Sequence, residues 1–197
     1  MTFIDESKPY IQYAQDVISG KITAPKYIIL ACYRMLDWFN RNDIYFDYKD
    51  VERKIVFISK LKHSTGKFAG QHFHLLPYQS WMIANIFGWK WTKNDYRVIK
   101  KALLFMSRKS GKTAFAAAVA LAHTLVDNEP SAEVEIVANS RHQAGIAMEH
   151  IQNFANSVDP RGKVFKRYRG YMRVPYSKSL IQVLSSDATG NDGYNSS

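Results

Sequence analysis

The chain has 197 residues, of which 46% are hydrophobic and 22% charged. That is apolar material enough for a packed core, so disorder is excluded as the default and one domain, or one with a small subdomain, is expected. No apolar run approaches the ~18 residues of a membrane span, and the formal net charge of +10 points to a polyanionic partner, nucleic acid being the commonest, held through salt-sensitive counterion release.

The opening MTFIDESKPY lacks the basic start and apolar centre of a signal peptide. Residues 9–19 predict a short helix ended by Gly20. From Ala24 to Asn40, Ile28, Ile29, Cys32, Met35, Leu36 and Phe39 recur at three- and four-residue spacing, the pattern of a longer helix. Cys32, the sole cysteine, excludes an intrachain disulfide, suits a reducing cytosol and reads as a buried small hydrophobe. Residues 50–61 repeat the pattern through Val51, Ile55, Ile58 and Leu61. Together these segments predict a small helical subdomain, residues 1–61, ahead of a core of residues 62–197.

The stretch Lys62–His74 is rich in glycine and histidine, but His63, His72 and His74 have no cysteine pair or H-E-x-x-H helix to complete a metal site. A loop leading into the next helix is the plainer reading. In Leu75–Trp89, LLPYQSWMIANIFGW, Pro77 suits a first helical turn, with Trp81, Met82, Ile86 and Phe87 on the apolar side. Gln79 stands near that helix start. Its amide can pair with adenine N6 and N7 at once and so select ATP over GTP; the alternative is a solvent-facing helical glutamine.

Ala102–Met106 is an apolar run expected as a short buried strand. Ser107-Arg108-Lys109-Ser110-Gly111-Lys112-Thr113 follows, then an alanine-rich helical segment from Ala114 to about Leu125. Strand, basic glycine-bearing turn and helix, in that order, is the setting of a phosphate-binding loop (P-loop). The first backbone N–H groups of such a helix point at whatever lies in front of it, and the macrodipole adds about half a positive charge there. Gly111 lets a phosphate approach the backbone. Lys112 can reach β- and γ-phosphate oxygens, and the Thr113 hydroxyl can ligate Mg2+. The pattern G-x-x-x-x-G-K-[ST] asks for glycine where this chain has Met106, and a helix that merely begins at G-K-T is the alternative.

After a turn at residues 127–131, Ala132–Ala138 alternates as a second strand. Asn139 and Ser140 resemble helix caps for a helix over Gln143–Val158. The order β–loop–α–β–α predicts an α/β fold, a P-loop NTPase-type parallel sheet flanked by helices, with Lys112 and Asn139 beyond the carboxyl ends of the strands. Residues 161–173 hold Arg161, Lys163, Lys166, Arg167, Arg169 and Arg173 with no acid, interleaved with Tyr168 and Tyr171. That ribbon suits contact with DNA backbone or an acidic neighbour, or is a solvated hairpin. Leu180–Leu184 reads as another strand, and the tail 187–197 as polar loop.

Several blocks in order, YAQDVISGKITAPKYIILACYRMLDW, LKHSTGKFAGQHFHLLPYQSWMIANIFGWK, FMSRKSGKTAFAAAVAL, EVEIVANSRHQA and LSSDATGNDGYN, resemble the N-terminal ATPase domain of the large terminase subunit of tailed bacteriophages. In that family the first loop glycine is often absent and an arginine sits in the loop. The resemblance implies a motor that packages double-stranded DNA into proheads, with ATP and Mg2+ as cofactors. It implies that Gln79 recognises adenine and that Ser107, Arg108, Lys109, Ser110, Gly111, Lys112 and Thr113 hold the phosphates. Arg108 and Lys112 are then catalytic, Thr113 is the Mg2+ ligand, and residues 138–141 couple nucleotide state to movement.

The implied partners are DNA, the portal protein, the small terminase subunit and further copies in a ring. The implied place is the host cytoplasm, outside the mature virion and with no membrane. The family's strand ending in Asp-Glu and its metal-dependent nuclease domain have no counterpart in these residues, so the expectation is a fragment that binds ATP weakly and hydrolyses it poorly. Two other classes stay open: another P-loop enzyme such as a helicase or small-molecule kinase, and a basic nucleic-acid-binding or assembly module that hydrolyses nothing.

Overall fold

The computed structural model describes residues 3–64, 66–107, 109–127 and 129–185. The chain forms two compact units: residues up to Val56 with His74–Phe105, and Phe57–Phe73 with the residues from Met106 onward.

The first unit is built on helices α1 (Pro9–Ile18), α2 (Lys26–Asp37), the start of α3 (Tyr48–Lys60) and α4 (Pro77–Gly88). These are the helices that apolar spacing predicts. Two three-residue strands that spacing does not predict, β1 (Ile44–Phe46) and β2 (Trp89–Trp91), pair antiparallel with Phe46 opposite Trp89. Their pairing brings large rings together. Phe46 and Trp89 meet edge-on at 4.9 Å, and Phe39 meets Trp89 at 4.9 Å and Phe46 at 5.4 Å. Tyr10, Ile11, Cys32, Met35 and Val51, all fully buried, complete this core. Burial drives the Cys32 thiol pKa up to about 12, so it packs as an inert hydrophobe.

One charged cluster lies inside this unit. Asp50 and Lys54, one turn apart on α3, are 4% and 1% exposed, and Lys54 Nζ donates to Asp50 Oδ1 at 2.5 Å. Lys90 donates to Asp47 Oδ2 at 2.7 Å and lies 3.5 Å from Asp50 Oδ2. Against hydrophobic replacements such a pair roughly breaks even, but breaking it by removing one member is strongly destabilising.

The second unit contains α5 (Lys112–Val126), β3 (Glu133–Ala138), α6 (Arg141–Val158), β4 (Lys166–Arg167), β5 (Tyr171–Val174) and β6 (Ser179–Ser185). Ser140 caps α6, its Oγ accepting from the Gln143 N–H at 3.3 Å. Helices α5 and α6 pack on each other and on β3 and β6. The helical face of the sheet buries Met172, Val174 and Ile181, and α5 meets its neighbours through Ala117, Ala118, Leu121 and Ala122. Asp159, just after α6, accepts from the N–H groups of Lys163, Val164 and Phe165. Burial alone would raise its pKa, but those bonds and the nearby Arg167 hold it below the ordinary value of 3.8.

Two expectations are corrected. The sheet is mixed rather than parallel: in the order β3-β6-β5-β4 only β3 and β6 run parallel. The reason lies in the connections, since the short turns after β4 and β5 allow only antiparallel neighbours, whereas parallel strands need a long crossover. The second correction concerns Ala102–Met106, which forms no strand. Leu103 and Phe105 are 92% and 97% exposed. An apolar run becomes a buried strand only where another strand takes its backbone groups, and among the described residues none pairs with it.

Candidate functional site

The loop before α5 winds around one ammonium group. Lys112 Nζ donates to the backbone oxygens of Met106 at 2.8 Å and Ser107 at 3.0 Å, and Ser110 Oγ donates to the Ser107 oxygen at 2.8 Å. Position 106, where the motif asks for glycine, therefore acts through its carbonyl, which any residue supplies. Lys109 and Gly111 both take left-handed backbone, at φ 64° and 75°. A Cβ on Gly111 would meet no atom within 4 Å, so glycine is needed there for conformation and not for room.

Gly111 is the N-cap of α5, and its carbonyl accepts from the Phe115 N–H at 2.9 Å. The N–H groups of Lys112, Thr113 and Ala114 precede any intrahelical acceptor and sit at the positive end of the helix dipole. Lys112 pairs with no carboxylate among the described residues, so its charge is held by neutral carbonyls alone. Thr113 is exposed beside it. Ammonium, unpaired N–H groups and an open hydroxyl form a donor set that fits a polyphosphate and the Mg2+ that accompanies one.

The remaining sequence-derived site residues fall as follows. Arg108 lies outside the described residues, as does the tail from residue 186. Gln79 belongs to the other unit, in the first turn of α4. It is not solvent-facing: it is 6% exposed, and its Oε1 accepts from the Leu76 N–H at 2.9 Å. The amide caps its own helix, and Nε2 has no partner among the described residues. The S/T-x-x-Q form of this cap was not there to be read, because a leucine occupies the cap position. His63 stacks on Phe73 at 4.9 Å, and among the described residues no group of three potential ligands could hold a metal ion. Among the described residues no helix is long and apolar enough to cross a membrane.

A family model described as the terminase large subunit, ATPase domain, matches residues 77–197. The chain belongs to that family. The matched part opens at Pro77, the first residue of α4, and takes in Gln79 and the whole Ser107–Thr113 loop. Among solved structures, the terminase chain resembles the crystal structure of the HK97 bacteriophage large terminase, with a TM-score of 0.59 and 22% identity over 74% of this chain. At that identity the likeness concerns the fold, and it spans 29% of the HK97 chain. No curated protein matches the chain.

Proposed function

We propose that this terminase ATPase domain binds ATP with Mg2+ at Ser107–Thr113, as the nucleotide-binding part of a motor that drives double-stranded DNA into a prohead. The observation that carries the reading is the Lys112 ammonium at the head of α5, paired with no carboxylate among the described residues and resting on two carbonyls. An arriving γ-phosphate offers that ammonium an anionic acceptor in place of neutral ones, a stronger bond. The N–H groups of residues 112–114 orient the β- and γ-phosphates, and Arg108 offsets charge that develops as water attacks in line. Mg2+ neutralises phosphate oxygens when bound, and Thr113 is the hydroxyl that would hold it. Gln79 is the proposed adenine contact, through Nε2 and the second lone pair of Oε1.

In this reading the 197-residue chain turns ATP over slowly. Water activation wants a carboxylate at a strand end, and β3 ends in Ala138, with Asn139 following it. Of the described carboxylates in this unit, Asp127 pairs with His123, Asp159 holds the backbone of residues 163–165, and Glu135 accepts from Gln182. Glu129 and Glu133 lie toward the start of β3 and Glu149 lies within α6. The proposed assembly is a ring on a portal protein, served by a small terminase subunit, in the host cytoplasm. A metal-dependent nuclease activity belongs to the same proposal for the whole motor protein.

The test is titration with a fluorescent ATP analogue. Lys112→Ala removes a charge-assisted contact of about 1.5–3 kcal/mol, so affinity should fall about 10- to 150-fold with the fold unchanged. Equal binding by wild type and variant would remove the loop from the reading.

A further inference from the structure

The basic ribbon after α6 is not used by the nucleotide loop. It folds as the β4–β5 hairpin. Across it, Lys166 stands directly opposite Arg173, and Arg167 opposite Met172. Like charges facing each other across antiparallel strands destabilise the pair unless an anion intervenes. Arg167 is compensated by Asp159, and Lys166 Nζ turns to the Gly162 carbonyl at 2.9 Å. Lys163, Arg169 and Arg173 are exposed and pair with no carboxylate among the described residues.

Two tyrosines sit among these cations. Tyr168 and Tyr171 stack at 4.5 Å with planes 14° apart, and the Arg173 guanidinium lies 5.5 Å from the Tyr171 ring. Tyr171 and Arg173 project from the face opposite buried Met172 and Val174. Charged side chains on β4 alone would be ordinary protection of an edge strand. Arg173 lies on β5, paired on both sides, and Arg169 lies in the turn, so edge protection does not account for them. The acids of this face, Glu133 and Glu135, are on β3 at the far edge, so among the described residues the hairpin edge carries only positive charge.

We infer that the exposed side of the β4–β5 hairpin, with Lys163, Arg169, Arg173 and the Tyr168–Tyr171 stack, docks the sugar–phosphate backbone of duplex DNA. The chemistry favours backbone over bases. The ring faces cover each other, so what the tyrosines offer is their hydroxyls, and the guanidiniums add fork-shaped donors suited to phosphate. A single-strand site would instead spread open aromatic faces along its length. The inference rests on the packaging reading only for the choice of duplex DNA as the polyanion, and it needs no nucleotide.

The experiment is fluorescence anisotropy of a short labelled duplex of arbitrary sequence with the full chain, without ATP, over a salt series. The wild type should bind. Lys163→Ala/Arg169→Ala/Arg173→Ala should bind at least tenfold more weakly, and its log K against log salt slope should be shallower by about 2–3, the contribution of three phosphate contacts. Arg169→Lys/Arg173→Lys keeps the charge and should retain most of the affinity, which separates docking from misfolding. Lys112→Ala should lose ATP and keep DNA. No binding by the wild type at low salt, an unchanged slope in the triple variant, tighter binding of a single strand that depends on Tyr168, or a loss in Lys112→Ala as large as in the triple variant would each overturn the hairpin as the duplex contact.

Discussion

The two units each contain a glycine at a helix end, and the reasons differ. Gly88 closes α4 in the first unit, where a Cβ would come within 2.3 Å of Phe46 Cε2. Gly111 opens α5 in the second unit, where a Cβ would touch nothing but the backbone is left-handed. One glycine is required by a crowded aromatic core and the other by the bend of an open loop. The first unit is held by interlocked rings and an internal ion cluster. The second packs alanines in its leading helix and keeps cations uncompensated at its surface.

That contrast can be broken most forcefully at the buried charges. Asp50→Ala takes the shared carboxylate out of a buried cluster with Lys54 and Lys90 and should cost about 3–5 kcal/mol in denaturant unfolding. Replacing both residues by Leu and Met should recover most of it. Gly88→Ala comes next, at about 1–3 kcal/mol from overpacking, because the Phe46 ring is wedged among Phe39, Tyr48 and Trp89 and has nowhere to move. Gly111→Ala should cost only about 1–2 kcal/mol of stability, from left-handed strain, yet weaken ATP binding severalfold. A larger stability loss at Gly111 than at Gly88 would erase the contrast.

The smallest effect concerns acid. The folded Asp159 carboxyl titrates below its ordinary value of 3.8, so the unfolded chain binds more protons across that interval. Its contribution is complete above that value and fades as pH falls through the folded pKa. Asp159→Asn should flatten the acid limb of the melting-temperature profile of the second unit.

Much of this was legible beforehand: apolar spacing, end signals and, for α5, alanine-rich composition place helices near α1 to α6. The strands β1 and β2 were not legible, because three residues contain less than two periods and their partners lie far apart in sequence. The run Ala102–Met106 misled for the converse reason, since strand character depends on a neighbour as well as on composition. The burial of the Asp50–Lys54 pair has no signal in the i, i+4 spacing itself, because it comes from Lys90 on β2 and Phe87 on α4. At the site, the G-K-T head of α5 could be read directly. The carbonyl cradle of Lys112 and the capping role of Gln79 could not, because both use backbone atoms that every residue possesses.

The contact between Phe46 and Gly88 also bears on descent. A methyl group at 88 is accommodated without strain only where a smaller side chain stands at 46. Among relatives the two should change as a couple, and a lineage that has lost the phenylalanine should be free to lose the glycine.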